Sequence, residues 1–503
     1  MRAGSYRFGP FEVDRAAFRL VRNGAETVTL TPKLLDLLLH LLDHAGELVT
    51  KEALLDAVWP GANVTDNAVA QAVSELRQAL DDHSGSPRFI KTVARRGYRF
   101  VAAVEAVGAP TPPPVPTAAA VRIGARETSS LDAYRAATEG WLRIESLEVG
   151  ELQHAVDDFR RAVSLDHRYA LAYTGLANAE FALYEATRSD NEPAQERLEQ
   201  AVDHARHGIV LDDGLAEAHA TLALLLVSAW RTEEAVSEAR RAVAIEPANW
   251  RHHFRLGHAS WGDARLKAGE VTLAQYPTFA FAHFQMAMVH VARGRLQEAE
   301  AILRRGAAVQ ERQREHRERF PALGLYWLFG LVSVARHDTA GALAAFDREL
   351  RLADPERLYG REYAMSAHYG RGLTLLLDAR ADEAVAEFQR AIELYPDYPQ
   401  AHLALAAAYR RLGAADGERT ATARADAALV VIARTKPIEA AIVGAMRRAT
   451  DEPDQAIALL ERMLEDAPPG FAGWAIPIEP LLGELQKREA FKAVLKRLAD
   501  RAR

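Results

Sequence analysis

The chain has no cysteine among its 503 residues. That excludes a disulfide framework, a thiolate metal site and a thiol nucleophile. It also has no long apolar run: the most hydrophobic stretch, LALLLVSAW from Leu222 to Trp230, is far shorter than the roughly 20 residues a membrane span needs. The opening MRAGSYRFGPFEV lacks the apolar core of a secretory leader, so a soluble protein of the reducing cytoplasm is expected, with no membrane partner. Phosphate-loop, zinc-protease and nucleophile-elbow motifs (GxxxxGK[ST], HExxH, GxSxG) are missing. No enzyme activity, cofactor or metal is therefore expected. A surplus of positive charge is lacking too. With 62 Lys and Arg against 69 Asp and Glu the net charge is -7, which argues against indiscriminate nucleic-acid binding.

What is present is uneven. Residues 1–105 hold 13 basic and 13 acidic side chains, yet no acid occurs between Asp82 and Glu105, where Arg88, Lys91, Arg95, Arg96 and Arg99 fall. Such a local basic patch is the footprint that a phosphate backbone attracts. The stretch GAPTPPPVPTAAA, 108–120, packs five prolines into thirteen residues and has nothing to bury, as in a semi-rigid linker. Before it strand and helix signals mix, and after it nearly every segment is Ala-rich and helical. The expected division is a first domain at 1–105, a linker at 106–127 and a helical region at 128–503.

In the first domain Tyr6/Phe8, Phe11/Val13, Phe18/Leu20 and Val28/Leu30 alternate with polar residues, the period of half-buried strands. Asn23-Gly24 is a hairpin signal. Thr31 then caps a helix with Pro32 at its first position, and Leu34, Leu35, Leu38, Leu41 and Leu42 form its buried stripe. A short helix, KEALLDAVW, ends at Pro60-Gly61, and another runs from Thr65 to about Leu80. In that third helix Val69, Val73, Leu76 and Leu80 face the core, leaving Asn67, Gln71, Ser74 and Arg77 in a row outside. These are residue types that read base edges or phosphates. The segment IKTVARRGYRF, 90–100, reads as a basic, aromatic hairpin with Gly97 near its bend.

Helix, turn, helix and ribbon in this order, with the strings LTPKLLDLLLHL, VTDNAVAQAVSELRQAL and FIKTVARRGYRF, resemble the OmpR/PhoB-type winged-helix DNA-binding domain across residues 5–104. The CadC/ToxR-like variant, which carries the winged helix first and a sensor afterwards, is the most similar. The resemblance implies an N-terminal four-stranded sheet, three helices and a hairpin wing, with the third helix in the major groove and the wing at the minor groove or its phosphates. The implied groove positions are Asn67, Gln71, Ser74 and Arg77, and the implied wing positions Lys91, Thr92, Arg95, Arg96 and Tyr98. The loop WPGANV, 59–64, stands where such domains often contact RNA polymerase. Glu75 departs from the family, because a cation is common there. No receiver domain precedes the winged helix, so phosphorylation control of that kind is not expected.

The second half carries a 34-residue register. Ala235, Ala239, Ala242 and Pro247 follow Leu222 and Ala223; Ala384, Phe388, Ala391 and Pro396 follow Gly372; Ala299, Leu303 and Gly306 follow Met286 and Ala287; Ala342 and Phe346 follow Phe329 and Gly330. A weaker copy holds Ala155, Phe159 and Ala162. Small residues let paired helices approach while large ones fill the gaps, and each pair buries its face by stacking on neighbours. This half resembles tetratricopeptide-repeat proteins, with roughly eight to ten hairpins expected. His252, His253 and His258 lie close in sequence, but adjacent side chains on a helix diverge by about 100°, which favours packing over metal binding. In the repeat register Phe254, His258 and Trp261, then Phe281, Phe284 and Met288, fall on the concave face, where an aromatic patch is expected to hold a partner.

The expected architecture is an α+β winged helix-turn-helix domain followed by an all-α tetratricopeptide-repeat solenoid. The expected function is that of a one-component transcription regulator. Its partners would be double-stranded DNA, RNA polymerase, a peptide, protein or small effector on the repeats, and a second copy of the chain on DNA. The competing reading is an interaction scaffold whose winged helix no longer binds DNA, which Glu75 and the neutral domain charge favour.

Overall fold

The computed structural model describes residues 5–14, 19–23, 26–28, 30, 32–58, 66–82, 87–93, 96–107, 128–315 and 322–503. The expected Pro-rich linker, the loop 59–64, Phe18, Gly24, Thr31, Thr65 and Arg95 lie outside these, as do the side chain of Asn67 and part of the linker's flanks. By compactness the chain divides into Met1–Ser146 with His154–Leu176 and Val210–Asp212, and a second unit of Leu147–Gln153, Ala177–Ile209 and Asp213–Arg503. Each is described by itself.

The alternating N-terminal residues form an antiparallel meander, β1 (Ser5–Phe8), β2 (Phe11–Asp14), β3 (Arg19–Arg22) and β4 (Glu26–Val28). Opposed pairs Tyr6–Val13, Val13–Leu20 and Leu20–Val28 keep one face apolar. Three helices follow, α1 (Pro32–Asp43), α2 (Lys51–Val58) and α3 (Asp66–Ala79), with the two-residue strand β5 (Val49–Thr50) between the first two. The hairpin is β6 (Ile90–Val93) and β7 (Gly97–Phe100), and β8 (Glu105–Val107) closes the domain. The first sheet has five strands rather than the expected four, because β8 returns to pair with β1, Tyr6 opposite Ala106. The second sheet has the order β5-β7-β6.

One core joins these layers. The expected helix stripe of Leu34, Leu35, Leu38, Leu41 and Leu42 is buried, and Val69, Val73, Leu76 and Leu80 are each fully buried against it. Phe8, Phe11, Phe89 and Phe100 supply edge and stacked ring contacts at 5.1–6.4 Å. The fixed core is what holds α3 and the hairpin at a set angle.

The described helices after residue 128 form nine successive pairs. The first helices are α4 (Leu131–Ser146), α6 (Ala170–Thr187), α8 (Ala216–Ser228), α10 (Trp250–Ala259), α12 (Ala280–Ala292), α14 (Leu325–Ala335), α16 (Gly360–Leu377), α18 (Pro399–Leu412) and α20 (Pro437–Arg448). Their partners are α5 (Leu152–Leu165), α7 (Gln195–Leu211), α9 (Thr232–Ile245), α11 (Asp263–Gln275), α13 (Leu296–Glu315), α15 (Thr339–Leu352), α17 (Ala381–Leu394), α19 (Ala415–Thr435) and α21 (Pro453–Asp466). The small-and-large register is the packing rule. The fully buried Phe346 of α15 leaves so little room that a Cβ at Gly330 or Gly370 would lie 2.6 or 2.4 Å from its ring. Beyond α21 the chain does not add a tenth pair. Residues 467–488 run as loop and short 3-10 turns before α22 (Glu489–Arg501). In this return segment Phe471 stacks on Trp230 at 5.2 Å, Trp474 meets Trp327 at 6.4 Å, and the Tyr369 hydroxyl donates to Glu479 at 3.2 Å.

Candidate nucleic-acid interface

Helix α3 exposes Gln71, Ser74, Glu75 and Gln78 on the face away from its buried valine and leucine stripe. The Gln71 amide donates to Glu75 Oε1 at 3.1 Å, one turn on, so the carboxylate engages the very side chain expected to read a base. Arg77 is placed differently from the expectation. It is half-buried, and its Nε and Nη2 donate to the Ile90 carbonyl at 3.2 and 2.7 Å, with Nη2 also donating to Thr92 Oγ1 at 2.8 Å. Two residues expected at DNA are thus bonded to each other, and Arg77 ties the helix to the hairpin.

Around Arg99 strand β7 alternates, whereas in β6 the adjacent Lys91 and Thr92 both face out. Ile90, Tyr98 and Phe100 turn inward, and Lys91, Thr92, Arg96 and Arg99 stay exposed. Tyr98, expected at the wing surface, is 5% exposed and belongs to the core. The reason is the two-residue period: Arg99 and Tyr98 cannot both face out. Lys91 stands directly opposite Arg99 in the ladder. Like charges in that position repel, and Lys91, Arg96 and Arg99 have no carboxylate within ion-pair distance among the described residues. The result is a positive ridge beside α3. Gly97 adopts φ +145°, and a Cβ there would lie 2.1 Å from the Val49 carbonyl oxygen, so the close pairing of β7 with β5 requires glycine.

A residue that the sequence did not single out fixes where the hairpin starts. Asp82 is 4% exposed, and its carboxylate accepts from the backbone N–H groups of Arg88 (2.6 Å), Phe89 (3.3 Å) and Ile90 (2.8 Å). Beside it, the Arg22 guanidinium pairs with Asp81. An Asp eight residues ahead of β6 was the available signal, and the acid-free gap after it hid its role.

Residues 24–100 match the family model described as transcriptional regulatory protein, C terminal. The solved DNA-binding domain of Escherichia coli CadC is 36% identical, and the match spans 21% of this chain and 100% of that one, at a TM-score of 0.19. The chain belongs to this family through its winged helix. Transcriptional activator CadC of Escherichia coli K12 is 37% identical over 121 residues, 22% of this chain and 23% of that protein. The cholera toxin homolog transcriptional activator of Vibrio parahaemolyticus is 38% identical over 86 residues, 17% of this chain and 30% of that protein. The chain thus spans less than a third of the length of either curated relative. Residues 380–413 match the tetratricopeptide-repeat model. No helix among the described residues is long and apolar enough to cross a membrane.

Of the residues expected to form a concave aromatic patch, Phe254, His258, Trp261, Phe281 and Met288 are half-buried and Phe284 is 7% exposed. Phe254 meets Phe281 at 5.8 Å, and Phe281 stacks on Phe284 at 5.1 Å. Trp261 lies apart from them in the turn after α10. The Arg265 guanidinium sits over its ring at 4.6 Å and Phe471 of the return segment approaches at 6.4 Å. The patch is therefore not one continuous open surface: its Trp261 end is covered by the chain's own residues. The histidines diverge as expected. His252 Nε2 lies 3.0 Å from Glu246, His253 Nε2 bonds the Pro247 carbonyl, and His258 Nδ1 bonds Gln285.

Proposed function

We propose that this chain regulates transcription as a one-component protein, its winged helix binding promoter DNA and its repeats receiving a partner or effector. The observation that carries the reading is the ridge of Lys91, Arg96 and Arg99, exposed and without carboxylate partners among the described residues, next to the polar outer face of α3. Phosphates would relieve the Lys91–Arg99 repulsion, while Gln71 and Ser74 offer the hydrogen bonds that read base edges. The relatives named as transcriptional activators support the regulatory role and favour activation over repression.

Genome-wide mapping of the bound protein supplies a site, on which the wild type and a Lys91→Ala, Arg96→Ala, Arg99→Ala variant are compared across a salt series. The variant loses affinity on all sequences, and its log K against log salt slope falls by roughly 0.9 for each phosphate contact removed. Equal slopes for the two proteins would overturn the assignment of the wing. The competing reading, a scaffold that has lost DNA, draws on Glu75 holding Gln71. It predicts no clustered peaks at all.

A further inference from the structure

Helix α10 carries a half-buried stripe. Arg251, Phe254, Arg255 and His258, spaced i, i+3, i+4 and i+7, keep part of their surface accessible, whereas His252, Gly257 and Ala259 are buried. Near this stripe lies the entry to α16, where Tyr359 holds a left-handed backbone at φ +69° and its ring lies under the Arg188 guanidinium at 4.9 Å. A tyrosine in that region is uncommon and is kept there by its surroundings.

Three of the interior cations can be compared by what they bond. Arg188 is fully engaged: Nε and Nη2 donate to Glu362 at 2.8 and 3.0 Å, and Nη1 to Glu185 at 2.8 Å. Arg265 is satisfied by carbonyls, with Nε donating to Gly257 and Ser260 at 2.9 Å and Nη2 to His258 at 2.8 Å. Arg255 has neither a hydrogen bond nor an ion pair among the described residues. Burial is the largest influence on it and pulls its pKa down. Glu217 and Tyr359 favour its charge from beyond ion-pair distance, and Arg251 opposes it. An unpaired guanidinium so placed weakens the fold unless an anion completes it.

His258, one turn along, reports the same local sign. Burial, then Arg265, Arg255 and Arg188, hold its pKa down to about 3, so the ring is neutral. The Gln285 amide donates to Nδ1 at 2.9 Å, which leaves the proton on Nε2. That second donor has no acceptor among the described residues, yet it is not one of the sealed polar atoms. Phe254 and Phe281 form the adjoining apolar wall.

We propose that this stripe is a binding site for a small organic monocarboxylate, with Arg255 as its counter-ion, His258 Nε2–H as a second donor, and Phe254 and Phe281 against its apolar body. One uncommitted guanidinium matches one carboxylate through a two-bond fork. A phosphate dianion would call on Arg188 and Arg265, whose donors are already used. The site deepens the effector part of the proposed function and rests on that reading for its regulatory meaning, not for its chemistry.

The test titrates the full chain with benzoate, following heat and tryptophan fluorescence, with benzamide as the neutral counterpart and inorganic phosphate as the dianion. Benzoate binds saturably, and benzamide and phosphate at least about tenfold more weakly, the loss of one charge-assisted pair. Arg255→Met abolishes the preference for benzoate and, without ligand, melts no lower than wild type. His258→Phe weakens benzoate while keeping its preference over benzamide. Equal binding of benzoate and benzamide, or unchanged binding by Arg255→Met, would sink the proposal. So would an Arg255→Met protein that fails to fold, because the side chain would then be structural. No DNA enters the measurement, so its failure leaves the regulator reading intact, and failure of DNA binding leaves this site untouched.

Discussion

At the scale of single residues, Asp82 and Arg77 separate architecture from recognition in the winged helix. Three backbone N–H groups converge on the buried Asp82 carboxylate, and Asp82→Ala would leave them facing a void from which water is largely excluded. The expected cost is about 2–3 kcal/mol of domain stability, measured by urea unfolding. Arg77 spends its guanidinium on the Ile90 carbonyl and Thr92. Arg77→Met should therefore lower DNA affinity by a common factor on every sequence, because it frees the wing from the helix. Gln71→Ala, on the exposed face, should cost about 1–3 kcal/mol at one base pair and little elsewhere. Anisotropy titrations on a panel of single-base variants distinguish the two. A base-specific loss for Arg77→Met would restore it to the groove.

At the scale of elements, local pattern was legible and return contacts were not. The stripe of α1, the buried face of α3, the strand alternation and the repeat register are each set by residues within a few positions of one another, so periodicity alone carries them. Tyr98 and Arg77 were misplaced for a different reason: both lie at a seam between elements, where the partner strand decides which way a side chain turns. Trp261 is the extreme case, since Phe471, about two hundred residues on, covers part of it. No spacing rule contains that contact. The return segment also carries a chemical signature. Glu479 accepts from the Tyr369 hydroxyl and the Leu481 N–H, and burial pushes its pKa up to about 7 from 4.5. A carboxyl raised in the folded state favours folding while protonated. Its contribution is full below about pH 4.5, fades as pH rises toward 7, and leaves the protein weaker by about 3 kcal/mol above that. Glu479→Gln should accordingly raise the melting temperature at pH 8 and give no gain at pH 4.5. Glu349, likewise raised to about 7 by burial, leaves a residual slope in that variant. A variant that melts lower than wild type at pH 8 would show that the charge itself holds the segment.

At the scale of the whole molecule, the last strand of the first sheet reaches past the boundary that composition suggests. Composition placed the boundary at residue 105, just before the prolines, but β8 runs Glu105–Val107 and pairs with β1 through Ser5–Val107, Tyr6–Ala106 and Arg7–Glu105. A cut after residue 103 would remove that strand and uncover one edge of the five-stranded sheet. A cut after residue 110 keeps it. Every core residue from Tyr6 to Phe100 is present in both fragments, so each retains the cluster formed by the sheet, α1, α3 and the hairpin. The longer fragment should unfold cooperatively and bind the mapped DNA site with the salt slope of the full chain, because the cationic ridge and the outer face of α3 lie within it. The shorter fragment should bind with the same slope but unfold earlier and aggregate at lower concentration through its open edge. Circular dichroism, sedimentation and a salt series on the two fragments read these outcomes directly. Equal stability would show that β8 adds nothing to the domain. A longer fragment that is unfolded would show that the winged helix needs residues beyond the prolines, and the boundary would move with it.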